Sequence, residues 1–235
     1  ISPEEIILNG LSKDTDVAAG GRHMSNHFAK PEINIQNVSS CVSNHALHAA
    51  GVARAIKKYK GDEIAYASFG ESSTSEGYFY EAINTASLEK LPVIFVIQNN
   101  GYGISVPVTD QSANTRISDN LVGFKDLLIV NCDGRDPFDS YRALKTAQEY
   151  VLSGKGPAVV HAECDRIGSH SNSDRHELYR SEEELTRVQQ RDPLLQFRYH
   201  LLNKGILTEE EILKIEDDNK RSEEHTSELQ SRSDL

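Results

Sequence analysis

The segment Val-Ile-Phe-Val-Ile at positions 93–97 constrains the fold most strongly, because it is apolar at every position and rich in β-branched side chains. A strand that is apolar throughout is typical of a parallel sheet covered on both faces, since a half-exposed strand alternates apolar and polar residues. Apolar segments at 63–69, 127–132 and 158–162 predict three further strands. The sequence therefore predicts a sheet built from four short strands.

Helical patterns lie between and around these strands. A helix rich in Ala and Gly is predicted at 43–60, a second ends near Lys90, and a third begins at Asp136-Pro137, an N-cap followed by proline. Further helices open at Ser181 and Thr208, each followed three residues later by a glutamate, as in a capping box. The alternation of strand and helix predicts right-handed crossovers and an α/β fold, a parallel sheet flanked by helices on both faces.

Three loops follow the predicted strands. They cover residues 70–77, 99–111 and 165–180. Binding sites in open parallel sheets lie beyond the carboxyl ends of the strands. We therefore expect the functional residues of this chain in these loops.

Charge and cysteine content exclude several classes of protein. The 235-residue chain holds 25 Lys and Arg against 36 Asp and Glu, a formal net charge of −11, whereas nucleic-acid and anionic-membrane binding depend on clustered basic side chains. The five-residue apolar run is far below the ~18 residues of a membrane-spanning helix. Cys41, Cys132 and Cys164 form no C-x-x-C pair, which argues against a disulfide framework or a zinc site and favours a reducing compartment. We expect neither nucleic acid nor a membrane among the partners.

The loop 70–77, Gly-Glu-Ser-Ser-Thr-Ser-Glu-Gly, follows a strand and opens a helix, so that its backbone N–H groups favour an anion. Glu71 would repel a phosphate there unless a divalent cation lay between them. Magnesium is bound by few protein oxygens together with phosphate oxygens. A second oxygen ligand is available at Asn99-Asn100, where the next strand ends 29 residues after Glu71.

Gly70-Glu71-Ser72 followed at this interval by Asn99-Asn100 resembles the thiamine-diphosphate motif, usually written G-D-G with a later N-N. The longer segments GESSTSEGYFYEAINTASLEKLPVIFVIQNNGYGIS and RIGSHSNSD are similar to the α subunit of the decarboxylating component of 2-oxo acid dehydrogenases. The branched-chain type is the nearest and the pyruvate type the next. The resemblance runs from about residue 20 to 220 and implies the thiamine-diphosphate-binding fold.

The resemblance implies two cofactors, thiamine diphosphate and Mg²⁺, and a set of residues that bind them. Glu71, the Asn100 side chain and the Tyr102 carbonyl oxygen would bind the metal. The diphosphate would lie along Gly70, Ser72, Ser73 and Arg166, and the ring region of the cofactor would contact Ser40 and Val42.

The same resemblance implies catalytic roles for two histidines. His170 would face the reacting carbon of the cofactor, and His27 matches an active-site histidine of the family. Imidazole titrates near neutral pH and is suited to stabilising and protonating an alkoxide. The implied reaction is oxidative decarboxylation of a 2-oxo acid, followed by reductive acylation of the lipoyl group of an acyltransferase component.

The implied partners are a β subunit or a fused β half, which supplies a glutamate that activates the cofactor, and the lipoyl domain of the acyltransferase. The family assembles as a heterotetramer, and this chain alone is expected to be inactive. A bacterial-type, cytoplasmic location is expected, and organelle targeting stays open.

Some positions depart from the family pattern. Ser72 replaces the usual second glycine, which matters only if that residue needs a positive φ. Cys41 stands where a proline is common and Asn44-His45 where Thr-Gln is common, which leaves the family's monovalent-cation site open. These departures motivate two alternatives, a pyruvate-specific homologue and a non-catalytic scaffold subunit of the same fold. A nicotinamide-binding dehydrogenase is disfavoured, since no G-x-G-x-x-G follows a strand.

Single residues also have simpler interpretations. Glu71 alone is typical of a first-turn acid of a helix, and Asn99-Asn100-Gly101 alone is typical of a turn. Arg166 could pair with Asp165 or Asp174. His170, in a loop rich in Ser and Asn, could be solvent-exposed without a role.

We expect residues 1–180 to form a cofactor-binding domain that lacks its N-terminal part and 181–220 to form a helical extension. The segment RSEEHTSELQS at 221–231 resembles the in-frame translation of a short-read sequencing adapter. We therefore expect residues 221–235 to be an artefact without function.

Overall fold

The computed structural model describes residues 1–37 and 39–233, with side chains described as far as Arg221. The chain divides into two compact units, one formed by residues 41–197 and the other by 1–40 together with 198–235. The predicted domain boundaries stay a prediction, and the side chains of the expected adapter segment after Arg221 lie beyond the described ones. In the part that is described, no helix combines the length and the apolar character needed to cross a membrane.

The helices and strands follow the predicted alternation, with bounds that differ from the predicted ones by one or two residues at most positions. The strands are β1 (Ala65–Gly70), β2 (Val93–Asn99), β3 (Tyr102–Gly103), β4 (Val106–Pro107), β5 (Leu128–Asp133) and β6 (Ala158–Glu163). The α-helices are α1 (Pro3–Gly10), α2 (Asn44–Tyr59), α3 (Gly77–Glu89), α4 (Val108–Gln111), α5 (Pro137–Leu152), α6 (Glu182–Gln190), α7 (Pro193–Asn203) and α8 (Glu209–Ser233). Short 3₁₀ helices cover Pro31–Ile33, Ser72–Ser75, Ile117–Leu121 and His176–Leu178.

The sheet of the 41–197 unit has four parallel strands in the order β1-β2-β6-β5. This arrangement confirms the predicted α/β class. The side chains of Val93, Phe95 and Ile97 belong to the core cluster that includes α2 and α3 residues. Ile94 and Val96 belong to a second cluster with residues of α5. Strand β2 is therefore covered on both faces, as its continuous apolar sequence predicts.

The helix starts have the local chemistry that the sequence indicates. Asp136 accepts a 2.8 Å hydrogen bond from the Phe138 amide at the start of α5. Ser181 accepts one of 3.2 Å from the Glu184 amide. Thr208 and Glu211 form the reciprocal contacts of a capping box in the other unit. Each of these bonds satisfies a backbone donor that the first turn of a helix leaves without a partner.

In the unit formed by 1–40 and 198–235, the buried Asp16 organises the first loop. Its carboxylate accepts hydrogen bonds from the amides of Ala18 and Ala19 at 3.0 and 3.1 Å and from the Asn9 side chain at 3.2 Å. Burial raises the pKa of Asp16, but these bonds together outweigh it and hold the pKa below its ordinary value. Helix α1, which precedes this loop, was not predicted.

Candidate functional site

The carboxyl ends of β1 and β2 lie side by side, with Gly70 opposite Gln98 in the parallel register. The chain leaves β1 into Glu71 and the 3₁₀ helix Ser72–Ser75. The Thr74 hydroxyl donates a 2.6 Å hydrogen bond to the Glu71 carbonyl oxygen, which folds this loop onto itself. The Gly-rich loop and the Asn99-Asn100 turn are thus brought together at one edge of the sheet, where a parallel sheet is expected to bind its ligand.

Glu71 is a buried carboxylate whose two oxygens differ in their contacts. The residue is only 1% exposed. Oε2 accepts a 3.0 Å hydrogen bond from the backbone amide of Asn100, whereas Oε1 is buried and has no hydrogen-bond partner among the described residues. Burial raises the pKa of Glu71 above its ordinary value, against the lowering effect of the Asn100 bond and of the Arg166 charge. A buried anionic oxygen without a partner is costly, and a cation would satisfy it.

Asn100 and Tyr102 complete the predicted ligand set. The Tyr102 amide donates a 3.2 Å hydrogen bond to Asn100 Oδ1, and Gly101 between them has a φ of +83°. Tyr102 then enters the small antiparallel pair β3–β4, opposite Pro107. The structure therefore joins Glu71, Asn100 and Tyr102 through consecutive hydrogen bonds. Their roles as metal ligands stay predictions.

The chemistry of this donor set suits magnesium. Within the described residues, no group of three or more His, Cys, Asp or Glu side chains could hold a metal ion, so a site built from three such side chains is absent from that part of the chain. Magnesium does not need one, because it binds one or two carboxylates and completes its shell with other oxygens, including those of a phosphate. One carboxylate, an amide side chain and a backbone carbonyl fit that pattern.

Ser72 keeps an ordinary backbone conformation, since it is not among the residues with positive φ. The close approach at this site involves Gly103 of β3, which packs against Ser72. A Cβ atom added to Gly103 would lie 2.8 Å from both Cβ and Oγ of Ser72. The Ser72 carbonyl also accepts a 2.9 Å bond from the Gln111 side chain, and the Ser73 carbonyl accepts the Ser43 hydroxyl. The departure from the G-D-G pattern is thus accommodated without backbone strain at Ser72.

Arg166 lies beside a pair of tyrosine rings whose centroids are 5.9 Å apart, with its guanidinium carbon 5.8 Å from the ring centroids of both Tyr102 and Tyr179. Nη1 donates to the Ile104 carbonyl at 2.9 Å and Nη2 to the Tyr179 hydroxyl at 2.6 Å, while Nε is buried without a partner. Nη2 is also 4.0 Å from Asp174, one of the two pairings considered from the sequence. Arg166 therefore connects the 165–180 loop to the segment that contains Tyr102, Ile104 and the β3–β4 pair.

His170 is held by its backbone rather than by its ring. Its amide donates a 2.8 Å hydrogen bond to Asp174 Oδ2, which also accepts the Tyr179 hydroxyl at 2.7 Å. These two bonds hold the pKa of Asp174 below its ordinary value. The His170 side chain is exposed. The loop thus holds the backbone of His170 in place and leaves its imidazole accessible to a ligand.

Ser40 and His27 belong to the other unit, and there they contact each other. Ser40 Oγ lies 2.9 Å from His27 Nε2 and 3.4 Å from Met24 Sδ. His27 Nδ1 is 3.2 Å from the carbonyl oxygens of Met24 and Ser25. Carbonyl oxygens only accept, so Nδ1 carries the ring proton and Nε2 accepts the Ser40 hydroxyl. Val42, in the 41–197 unit, is 54% exposed.

Sequence reasoning did not identify the side chains that support Tyr102. The Tyr102 hydroxyl donates a 3.1 Å bond to Glu184 Oε2, and Glu184 Oε1 accepts Arg180 Nε at 2.9 Å. The buried Arg180 also lies over the Tyr102 ring, 5.4 Å from its centroid. Only the capping-box spacing at Ser181 draws attention to Glu184 in the sequence, and it indicates a helix start rather than this contact.

An open cleft adjoins the Asn99–Gly101 turn and is also lined by Arg116, Arg135, Glu163 and Cys164. Burial raises the pKa of the Cys164 thiol to about 11. The thiol is therefore protonated at neutral pH, and a protonated thiol is a poor nucleophile. This environment disfavours a nucleophilic role for Cys164.

Comparison with known proteins gives matches along nearly the whole chain. The family described as "Dehydrogenase E1 component" matches residues 1–232. The 2-oxoisovalerate dehydrogenase subunit alpha of Bacillus subtilis is 37% identical over 210 residues, covering 89% of this chain and 63% of the relative. The pyruvate dehydrogenase E1 component subunit alpha of the same organism is 36% identical over 217 residues, covering 92% and 58%. The corresponding subunit of Staphylococcus aureus is 34% identical over 209 residues, covering 88% and 56%. The chain thus spans about three-fifths of the length of these curated relatives.

Proposed function

Since this chain belongs to the dehydrogenase E1 component family, we propose that it is the α-type subunit, or the α half, of a thiamine-diphosphate-dependent 2-oxo acid dehydrogenase. The family match confirms the resemblance predicted from the sequence. The similar proteins include a 2-oxoisovalerate and a pyruvate dehydrogenase α subunit, the two types that the resemblance names. The observation that carries the proposal is the buried Glu71, whose Oε2 is bonded to the Asn100 amide and whose Oε1 has no partner. A scaffold subunit has no need of an uncompensated carboxylate at this position.

In the proposed enzyme, Glu71, the Asn100 side chain and the Tyr102 carbonyl hold Mg²⁺, and Gly70, Ser72, Ser73 and Arg166 bind the diphosphate. Bound thiamine diphosphate would supply the nucleophilic carbon and the electron sink for decarboxylation of a 2-oxo acid. Ser40 and Val42 contact its ring region. The fit rests on the anionic oxygen that lacks a partner among the described residues and on the loop 70–77, which leads into the N-terminus of α3, where an anion such as a phosphate is favoured.

Two histidines act on the substrate in this proposal. The exposed imidazole of His170 donates a proton to the oxygen of the substrate's 2-oxo group, while the Asp174 contact holds its backbone. His27 Nδ1 keeps its proton on the two carbonyl oxygens, which leaves Nε2 as the acceptor that Ser40 now occupies. His27 can therefore accept a proton at Nε2 when the Ser40 hydroxyl is displaced.

The finer parts of the proposal concern substrate, partners and location. We propose a branched-chain 2-oxo acid as the substrate, with its acyl group passed to the lipoyl group of an acyltransferase component, and a β subunit or β half as the partner. The resemblance of RIGSHSNSD and its flanks to the branched-chain type supports this choice. The three cysteines form no disulfide in the described part of the chain, and together with the bacterial relatives this supports a cytoplasmic location.

The experiment is titration calorimetry with thiamine diphosphate and Mg²⁺ on the full-length protein assembled with its β partner. Glu71→Ala and Asn100→Ala are expected to abolish Mg²⁺-dependent cofactor binding. Glu76→Ala and Asn114→Ala, at exposed positions nearby in the sequence, are the matched controls and should bind as the wild type does. Binding that is unchanged in both ligand variants would overturn the metal assignment.

Turnover separates the catalytic and substrate proposals from cofactor binding. His170→Ala should bind the cofactor and lose acyl transfer to a lipoyl domain. A wild-type protein with no cofactor binding would favour the scaffold alternative. A kcat/KM higher for pyruvate than for 2-oxoisovalerate would favour the pyruvate-specific homologue.

A further inference from the structure

A hydrogen-bonded network inside the 41–197 unit crosses three strands and ends at the predicted metal-site turn. His161, on β6, is fully buried. Its Nδ1 lies 3.2 Å from Asn131 Oδ1 on β5, and its Nε2 lies 3.2 Å from Asn99 Nδ2 at the end of β2. The Ser118 hydroxyl donates to the same Asn131 oxygen at 2.8 Å. None of these side chains has a role in the proposed chemistry.

The partners of Asn99 fix the direction of every bond in this network. Its Oδ1 accepts the Gly101 amide at 3.0 Å, and its Nδ2 donates to the Thr115 carbonyl at 3.1 Å. An amide hydrogen and a carbonyl oxygen leave only one orientation of the Asn99 side chain. The atom of Asn99 that faces His161 is therefore a donor, so His161 Nε2 accepts and Nδ1 carries the ring proton.

This tautomer satisfies the network completely. His161 Nδ1–H donates to Asn131 Oδ1, and His161 Nε2 receives Asn99 Nδ2–H. A buried imidazole with both nitrogens bonded has one stable orientation, because any rotation leaves a polar atom without a partner. The Asn99 side chain is in turn held from two sides, by His161 and by Thr115.

Asn99 transmits that orientation to the turn. Its bond to the Gly101 amide closes the chain around Asn100, where Gly101 takes up a left-handed φ of +83°. In this turn the backbone amide of Asn100 donates its hydrogen bond to Glu71 Oε2. We infer that His161 is a positioning residue, which acts through Asn99 to hold the Asn99–Gly101 turn in the shape that places Asn100 beside Glu71. The metal part of this inference rests on the proposed function, whereas the part that concerns the turn does not.

The first test measures hydrogen exchange by mass spectrometry on the full chain without metal or cofactor. His161→Leu removes both polar contacts and is expected to raise exchange at the Gly101 amide about tenfold, with peptides of β1 unchanged. His161→Gln, which keeps an acceptor for Asn99, should restore most of the protection. Val160→Ala, a neighbouring core position in the second cluster, is the matched control and should leave the Gly101 amide protected.

A second variant covers the case in which His161→Leu fails to fold. Asn131→Ala removes the acceptor of the His161 ring proton at an exposed residue and should raise exchange at Gly101 by a smaller factor, about threefold. Unchanged protection of Gly101 in Asn131→Ala, and in His161→Leu where that variant folds, would overturn the inference. Equal loosening by Val160→Ala would overturn it as well, since it would show a loss of core stability only.

The second test measures Mg²⁺ affinity by calorimetry in the full-length protein assembled with its partner, with thiamine diphosphate present. His161→Leu should weaken Mg²⁺ binding about tenfold, the loss that is common when a residue supporting a metal ligand is removed. His161→Gln should stay close to the wild type. Wild-type protein without any Mg²⁺ binding would contradict the proposed function and leave the exchange result standing. Normal wild-type binding with unchanged affinity in His161→Leu would contradict the positioning role alone.

Discussion

The backbone amide of Asn100 donates a 3.0 Å hydrogen bond to Glu71 Oε2, which connects the loops that follow β1 and β2. The two residues are 29 positions apart, and parallel pairing of the strands brings them together. Only one carboxylate oxygen is used in this contact. The other oxygen is buried without a partner among the described residues, so the cost of the buried Glu71 charge depends on whether a cation binds beside it.

Glu71→Gln should stabilise the metal-free protein by about 1 kcal/mol, because it removes a buried charge and keeps an oxygen for the Asn100 amide. With thiamine diphosphate and Mg²⁺, the wild type should gain stability and the variant should not, since a ligand stabilises only the state that binds it. Thermal unfolding with and without these ligands measures both effects. The exposed Glu76→Gln is the control, and a variant that gains as much as the wild type would disprove the role of Glu71.

Tyr102→Phe should leave Mg²⁺ binding intact, because the predicted ligand is the backbone carbonyl and the hydroxyl bonds only to Glu184. The cost should be about 1 kcal/mol of unfolding free energy, the usual value of one hydrogen bond. Tyr102→Ala also removes the ring beneath Arg166 and Arg180 and should cost more. Urea unfolding and Mg²⁺ calorimetry give the two quantities. Loss of metal binding in Tyr102→Phe would mean that the hydroxyl has a role that the geometry does not assign.

Gly103→Ala should destabilise the protein by about 1–3 kcal/mol, because the new methyl group would overlap Ser72, whose Cβ lies 2.8 Å from its position. Gly103 does not have a positive φ, so the cost is steric. The double variant Ser72→Gly with Gly103→Ala should recover much of the loss. A double-mutant cycle of unfolding free energies measures this coupling, and strict additivity would rule out the contact.

Stability should fall below pH 6.5 through His161. Burial holds the pKa of His161 below its ordinary value of 6.5, with Arg116 lowering it further and Glu163 and Asp119 opposing. Below 6.5 the unfolded chain binds a proton that the folded chain does not, so unfolding is favoured as the pH falls, by up to about 1.4 kcal/mol per pH unit. Above 6.5 this contribution is fully present and constant. Urea unfolding of wild type and His161→Gln between pH 5 and 8 should differ by that one-proton slope, and parallel curves would show that His161 titrates normally in the fold.

The sequence by itself determined the four strands of the parallel sheet, most of the helices and the location of Glu71 and Asn100 in loops that follow two of these strands. Side-chain periodicity, capping residues and turn residues act over a few positions, so they can be interpreted before any tertiary contact is known. The same locality explains why the apolar run 93–97 correctly indicated a strand covered on both faces.

Tertiary structure alone decided the strand order, in which β6 lies between β2 and β5, and the side chains that support the site. Arg166 reaches Ile104 across 62 positions and Glu184 reaches Tyr102 across 82. The same holds for His161, whose position in the apolar segment of β6 gives no indication that Asn99 and Asn131 are its partners. Such contacts depend on how the crossovers pack each helix and strand against the sheet. The neighbouring residues in the sequence do not predict that packing, because they act only on local structure.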